Sequence, residues 1–215
     1  TAVRIAEKAF AVVRASLRGE QTEKQVADEI DHQIRSFGGE GCSFTPIVGV
    51  GDRAALAHYR PGSLRVELNP LLLIDWGARG NLYVSDLTRV LVTGKPSAKL
   101  RRIYEIVLKA NQRAIAAIKP GVLMEKIDQT ARGVIENAGF GKRFGHSLGH
   151  GIGLQVHEQP RLAMREKRPL KAGMVVTVEP GIYLPGWGGV RLENMVLVTK
   201  DGCENLNRND FFYSF

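Results

Sequence analysis

Residues 71–90 read LLLIDWGARGNLYVSDLTRV, Leu71 through Val90. Four aliphatic residues run straight into Asp75, the pattern of a short buried strand. A glycine-bearing turn follows. Leu82 to Val92, rich in β-branched residues, reads as a second strand carrying Asp86. The pattern then returns. Met174-Val-Val-Thr-Val-Glu179 is another apolar strand closing on a carboxylate, and Gly189 to Thr199 is another second strand, carrying Glu193. The two second strands finish in VTG and VTKDG, and each half has a histidine upstream of its first carboxylate, His58 and His157. Such self-similarity marks a duplicated unit.

The flanking segments repeat as well. Residues 2–17 carry Val3, Ile5, Ala6, Phe10 and Val13 at helical spacing. Thr22-Glu-Lys-Gln25 is a capping box opening a second helix that runs to about Phe37, where Gly38-Gly39 ends it. Phe44 to Val50 reads as a strand. After Gly94-Lys-Pro96 breaks the chain, a long helix spans 98–118, Pro120-Gly121 stops it, and 122–137 forms the next, ended by Gly139. The order helix, helix, strands thus occurs twice. It predicts an α+β fold whose halves join their strands in one curved sheet, with helices over its outer face. Carboxylates from both halves would meet near the pseudo-twofold axis.

A carboxylate embedded in an apolar strand is costly to bury alone. For any single one of Asp75, Asp86, Glu179 and Glu193, a solvent-facing strand end or a salt bridge to a neighbouring arginine suffices. Four in matched positions point to convergence. Converging carboxylates repel, so protons or cations must intervene. Two divalent ions would balance the four negative charges. An added imidazole makes a mixed oxygen and nitrogen site, suited to Mn, Co, Zn or Fe(II) rather than Ca. Two such ions can clamp a hydroxide nucleophile and polarise a carbonyl. Residues 146–160, HSLGHGIGLQVHEQP, hold His146, His150 and His157. Their glycines argue against a zinc-binding helix. In an extended segment positions 146 and 150 share a face, and the glycines let the backbone approach a ligand or another strand.

With 215 residues, 44% hydrophobic and 24% charged, the chain reads as a globular protein able to bury a full core. Its net charge of +8 invites an acidic partner. The charges are mixed, however, the basic groups Lys99-Leu-Arg101-Arg102 and Arg165-Glu-Lys167-Arg168 are short, and no aromatic residues interleave to stack bases. No nucleic-acid partner is expected. The two cysteines, Cys42 and Cys203, read as thiols in a reducing, cytoplasmic setting. No apolar run reaches the ~18 residues of a membrane span, and no signal peptide is recognisable. The helical pattern is already under way at Thr1, which reads as an excised domain.

The stretches IDWGARGNLYVSDLTR, GHSLGHGIGLQVHEQP, GMVVTVEPGIY and GVRLENMVLVT resemble the catalytic domain of the pita-bread metallopeptidases, the family of prolidase, aminopeptidase P and methionine aminopeptidase. The resemblance covers nearly the whole chain, so residues 1–215 are expected to form one catalytic domain of two pseudo-symmetric ααββ halves. It implies that the N-terminal creatinase-like domain of full-length relatives, through which they dimerise, is absent here. By resemblance, Asp75, Asp86, His150, Glu179 and Glu193 bind two divalent ions, manganese first among Mn, Co, Zn and Fe. Asp75 would chelate one ion, His150 and Glu179 the other, and Asp86 and Glu193 would bridge. Glu179 would accept the proton of the nucleophilic water. His58 and His157 would hold the oxyanion or position the scissile amide, and His146 would line the leaving-residue side. Arg191, in VRLE, is the arginine that prolidase and aminopeptidase P carry two residues before the last glutamate. It would face the substrate carboxylate or orient the carboxylates of the metal site. Asn194 and Val90 depart from the residues usual at those positions, and neither is a ligand. The implied activity is hydrolysis of an amino-terminal Xaa-Pro bond in dipeptides or short peptides. The alternatives are an aminopeptidase of other specificity, such as methionine removal, a non-catalytic binding module, and a metal-free creatinase-like hydrolase.

Overall fold

The computed structural model describes residues 1–208, 212 and 213. Two helix pairs, α1 (Ala2–Ser16) with α2 (Glu23–Ser36) and α3 (Ala98–Ala117) with α4 (Met124–Asn137), precede two sets of strands. The first set is β1 (Gly41–Cys42), β2 (Ile47–Val50), β3 (Leu71–Trp76), β4 (Ala78–Gly80), β5 (Tyr83–Val84) and β6 (Leu87–Val92). The second is β7 (Gly149–Gly151), β8 (Glu158–Leu162), β9 (Val175–Val178), β10 (Gly181–Leu184), β11 (Gly188–Arg191), β12 (Asn194–Val198) and β13 (Cys203–Asn205). The predicted capping box is formed. Thr22 Oγ1 accepts from Gln25 N–H at 3.2 Å, and Gln25 Oε1 accepts from Thr22 N–H at 2.9 Å.

All pairings are antiparallel. The central ladders run β2-β3-β6 and β13-β12-β9-β7-β8, with β10-β11 and β1-β4-β5 as side ribbons. The two central ladders meet where Glu193 N–H donates to Thr88 O at 3.1 Å. Each predicted second strand is in fact two. Residues 82–92 divide into β5 and β6 around Ser85-Asp86, and 189–199 into β11 and β12 around Leu192-Glu193. At both breaks the backbone turns to the other half: Asp86 N–H reaches Met195 Sδ at 3.4 Å, as Glu193 N–H reaches Thr88.

Every residue of β3 is buried, because it is covered on both faces. Leu72, Ile74 and Trp76 pack against Phe10, Val13, Ile30 and Ile34 of α1 and α2. Leu71 and Leu73 belong instead to the core beneath α3 and α4, with Val90, Val176, Val178 and Val196. The α1 face is keyed by Phe10 stacked on Trp76, with ring centroids 4.2 Å apart, and by Trp76 Nε1–H donating to Ala6 O at 3.0 Å. Phe10 is fully buried. Phe10→Ala is therefore expected to lower unfolding free energy by about 3–5 kcal/mol, measured by urea denaturation monitored through tryptophan fluorescence.

Candidate metal centre

All nine site residues predicted from the sequence line one cavity of about 650 Å³. Period-two alternation explains how the carboxylates arrive there. Since Leu72, Ile74 and Trp76 face α1 and α2, Asp75 emerges on the opposite face of β3. Val176 and Val178 enter the core from β9, which leaves Thr177 and then Glu179 on the other side. Asp86 and Glu193 occupy the two strand breaks described above. Gly149 permits the close approach of β7 to β9, since a Cβ there would lie 1.9 Å from Thr177 O. His150 N–H then donates to Thr177 Oγ1 at 3.0 Å, and Thr177 Oγ1–H donates to Glu179 Oε1 at 3.1 Å.

His150 is held in one tautomer. Its Nδ1 lies 3.0 Å from Gly151 O, and a carbonyl only accepts, so Nδ1 carries the proton. Burial foremost pushes its pKa down to about 4. Nε2 is therefore a bare lone pair, 3.3 Å from Glu179 Oε1 and 3.6 Å from Asp86 Oδ2. His146 is neutral for the same reason, with a pKa near 4 caused mainly by burial. Its Nδ1 donates to Ser147 O at 2.8 Å, and Nε2 accepts from Tyr183 O–H at 2.9 Å. His157 packs edge-on against His150, with centroids 4.3 Å apart, and burial lowers its pKa. His58 lies exposed on the wall of the cavity.

The carboxylates are crowded. Burial, then Glu193, Asp75 and Glu179, raises Asp86 well above the usual range. Burial, then Glu179 and Asp75, does the same to Glu193. Burial lifts Glu179 to about 8. Asp75 Oδ1 and Glu193 Oε1 are buried with no hydrogen-bond donor among the described residues. Such an orphaned acceptor costs roughly 1–3 kcal/mol. Donor atoms of Asp86, His150 and Glu193 all fall within 4.8 Å of one another. An oxygen-rich set with one bare imidazole nitrogen and two orphaned oxygens fits divalent cations of the Mn, Co, Zn and Fe(II) class.

Arg191 ties the cluster together. Its Nη2 donates to Asp75 Oδ2 at 2.5 Å, its Nε to Thr88 Oγ1 at 3.0 Å and its Nη1 to Tyr183 Oη at 2.9 Å. Thr88 Oγ1–H donates onward to Glu193 Oε2 at 2.6 Å. Sequence reasoning assigned no part to Thr88, whose partners Arg191 and Glu193 lie in the other half, or to Tyr183, which joins His146 to Arg191. It also passed over Arg161, whose exposed side chain lines the cavity beside His157, and the buried Asp128–Arg132 pair of α4. Arg132 donates to Phe144 O and His146 O, both at 2.9 Å, and Asp128 accepts from Leu148 N–H at 3.1 Å, so this pair anchors the histidine loop.

Titration follows from these shifts. A carboxylate whose folded pKa is raised keeps its proton in the folded state after the unfolded chain has lost it, so its stabilisation fades as pH rises. The histidine shifts act oppositely, and their effect fades as pH rises past about 6.5, where the unfolded imidazoles lose their protons. Between pH 6.5 and 8 the carboxylates outweigh what remains of it. Metal-free protein is expected to lose on the order of a few degrees of melting temperature across that window, and Mn²⁺ to raise it more at pH 8 than at pH 6.5, measured by scanning calorimetry.

The sequence profile described as metallopeptidase family M24 matches residues 1–200. The Xaa-Pro dipeptidase of Pyrococcus furiosus is 43% identical over 209 residues, 97% of this chain and 60% of that protein. An uncharacterized peptidase of Staphylococcus saprophyticus is 43% identical over 205 residues, 95% of this chain and 59% of that one. Among solved structures, the prolidase from P. furiosus superposes with a TM-score of 0.94 at 42% identity, covering 97% of this chain and 62% of that one. The X-Pro aminopeptidase from Thermotoga maritima does so with a TM-score of 0.94 at 42% identity, covering 97% and 59%. The chain thus spans about 60% of the length of the curated relatives it matches. These solved structures share the antiparallel α+β, pita-bread architecture found here, and the chain belongs to metallopeptidase family M24.

Proposed function

We propose that residues 1–215 are the catalytic domain of a dinuclear-metal exopeptidase that hydrolyses the amino-terminal Xaa-Pro bond of dipeptides or short peptides. One observation carries the reading: four carboxylates from two halves face one cavity beside a bare imidazole nitrogen, with two buried oxygens lacking donors. Asp75, Asp86, His150, Glu179 and Glu193 would hold the ions, manganese first. When bound, two such ions acidify water and polarise a carbonyl. The cytoplasm suits the free thiols Cys42 and Cys203.

The chain's own groups account for the rest. Glu179 faces the same cavity with its Oε1 3.3 Å from His150 Nε2, placed to take a proton from the attacking water. His58 and His157, on the cavity wall, would orient the scissile carbonyl. His146 lines the side that receives the leaving residue, locked there by Tyr183. Phe44, Ile47 and Val156 give the cavity apolar walls suited to a proline ring, whose nitrogen has no N–H to offer. The acidic floor suits a substrate amine. Arg191 has a partner for each of its three nitrogens, whereas Arg60 and Arg161 line the same cavity, exposed and without a hydrogen-bond partner among the described residues, and suit the substrate carboxylate. The relatives named for Xaa-Pro substrates support this specificity over methionine removal.

Turnover of an Xaa-Pro dipeptide or an Xaa-Pro-Yaa tripeptide is expected, lost on chelation and restored by Mn²⁺. Asp86→Asn is expected to lower both metal content and kcat/KM by more than about 100-fold, beyond what loss of an outer partner of a metal ligand costs. Arg161→Ala should raise KM for the dipeptide by roughly tenfold or more with a smaller change in kcat. Preference for Met-Ala-Ser over both proline substrates would overturn the assignment.

A further inference from the structure

Glu23 opens α2 and is fully buried. The capping of that helix is done by Thr22 and Gln25, so Glu23 is not needed there. Its carboxylate accepts three hydrogen bonds, none from its own helix. Val50 N–H donates to Oε1 at 2.8 Å, Tyr59 O–H to Oε2 at 2.8 Å and Gly62 N–H to Oε2 at 2.9 Å. The donors are the last residue of β2 and two residues of the long connection from β2 to β3.

That connection is pinned at both ends. Residues 51–55 form a short 3₁₀ turn after β2. Residues 62–67 run beside 19–24 through the backbone: Lys24 N–H to Gly62 O at 3.0 Å, Glu23 N–H to Leu64 O at 2.9 Å and Val66 N–H to Gln21 O at 2.9 Å. Residues 56–61 between them have no regular structure. Their backbone bonds, Leu56 N–H to Arg53 O at 3.0 Å and Tyr59 N–H to Leu56 O at 3.1 Å, are local. Among the described residues, the Tyr59 hydroxyl on Glu23 is the one side-chain hydrogen bond that ties this stretch to the body of the protein. His58 and Arg60 flank Tyr59, and both line the cavity.

We propose that Glu23 is a positioning residue for the reaction: with Tyr59 it clamps the 56–61 stretch over the cavity and so sets where His58 meets the substrate. The proposal rests on the peptidase reading for its effect on turnover, and on geometry alone for the clamp. The carboxylate is the fitting group, because all three of its partners donate. Glutamine at this position turns one terminal atom into a donor, and the backbone N–H groups of Val50 and Gly62 cannot reverse to accept from it.

The test uses Glu23→Gln and the milder Tyr59→Phe in the full chain. Hydrogen–deuterium exchange is expected to quicken across residues 56–62 in both variants, with peptides from α3, α4 and β9 unchanged. Toward an Xaa-Pro dipeptide, Glu23→Gln is expected to lower kcat/KM about tenfold, the worth of one buried hydrogen bond to a charged group. In a background carrying both His58→Ala and Arg60→Ala the same change should cost nothing further, because its effect passes through the cavity-lining residues of this stretch. Unchanged exchange at 56–62, or a loss that simply adds to that of the double variant, overturns the proposal. A wild-type protein that turns over no Xaa-Pro peptide sinks the peptidase reading instead, and the exchange measurement still decides the clamp.

Discussion

Four carboxylates cannot share a buried cavity as anions without something positive among them. Asp75, Asp86, Glu179 and Glu193 are brought together by strands whose other faces make the core, so they cannot retreat to solvent without withdrawing Leu73, Val178 or Val196 from it. Hydrophobic burial of the halves therefore imposes the electrostatic problem. Protons and Arg191 are the partial answers that the protein itself supplies, since the neutral His150 adds a lone pair and no charge. The orphaned oxygens of Asp75 and Glu193 mark what they leave unanswered.

The histidines meet a different difficulty. They sit on irregular or glycine-rich segments, which have little order of their own. Two of these segments, those carrying His146 and His58, are each tied to the second helix of a pair through a buried charged group. Asp128 and Arg132 on α4 grip residues 144–148, and Glu23 on α2 grips residues 50–62. The helices thus do more than cover the sheet, for they carry its loops into register with the carboxylates.

Much of this was legible along the chain. The four helices followed from apolar periodicity and caps, and β3 and β9 from aliphatic runs ending on Asp75 and Glu179. Of the nine predicted site residues lining the cavity, Asp75, Asp86, Glu179, Glu193, His58 and His157 stood out because their types recur at matched places in two halves, whereas His146, His150 and Arg191 stood out through the glycine-rich histidine stretch and the family resemblance. The strand breaks at Ser85-Asp86 and Leu192-Glu193 were not legible. The residues on both sides keep their strand-like character, and each interruption is made by a bond to the opposite half. Glu23 looked like part of a cap because it lies within one, whereas its three partners stand 27, 36 and 39 residues away. Thr88 looks unremarkable in sequence for the same reason, its partners Arg191 and Glu193 lying in the other half.

The seam between the halves holds a last consequence. Thr88 lies two residues after Asp86 and bonds Arg191, which lies two residues before Glu193. The counterparts by that offset are Met195, two after Glu193, and Val84, two before Asp86, and these share a small apolar cluster with Ile152. Positions matched by their offset from Asp86 and Glu193 thus carry opposite chemistry, a guanidinium–hydroxyl bond in one place and hydrocarbon contact in the other. The backbone repeats across the seam while the side chains on it do not, so the two halves are distinguishable to anything that binds between them.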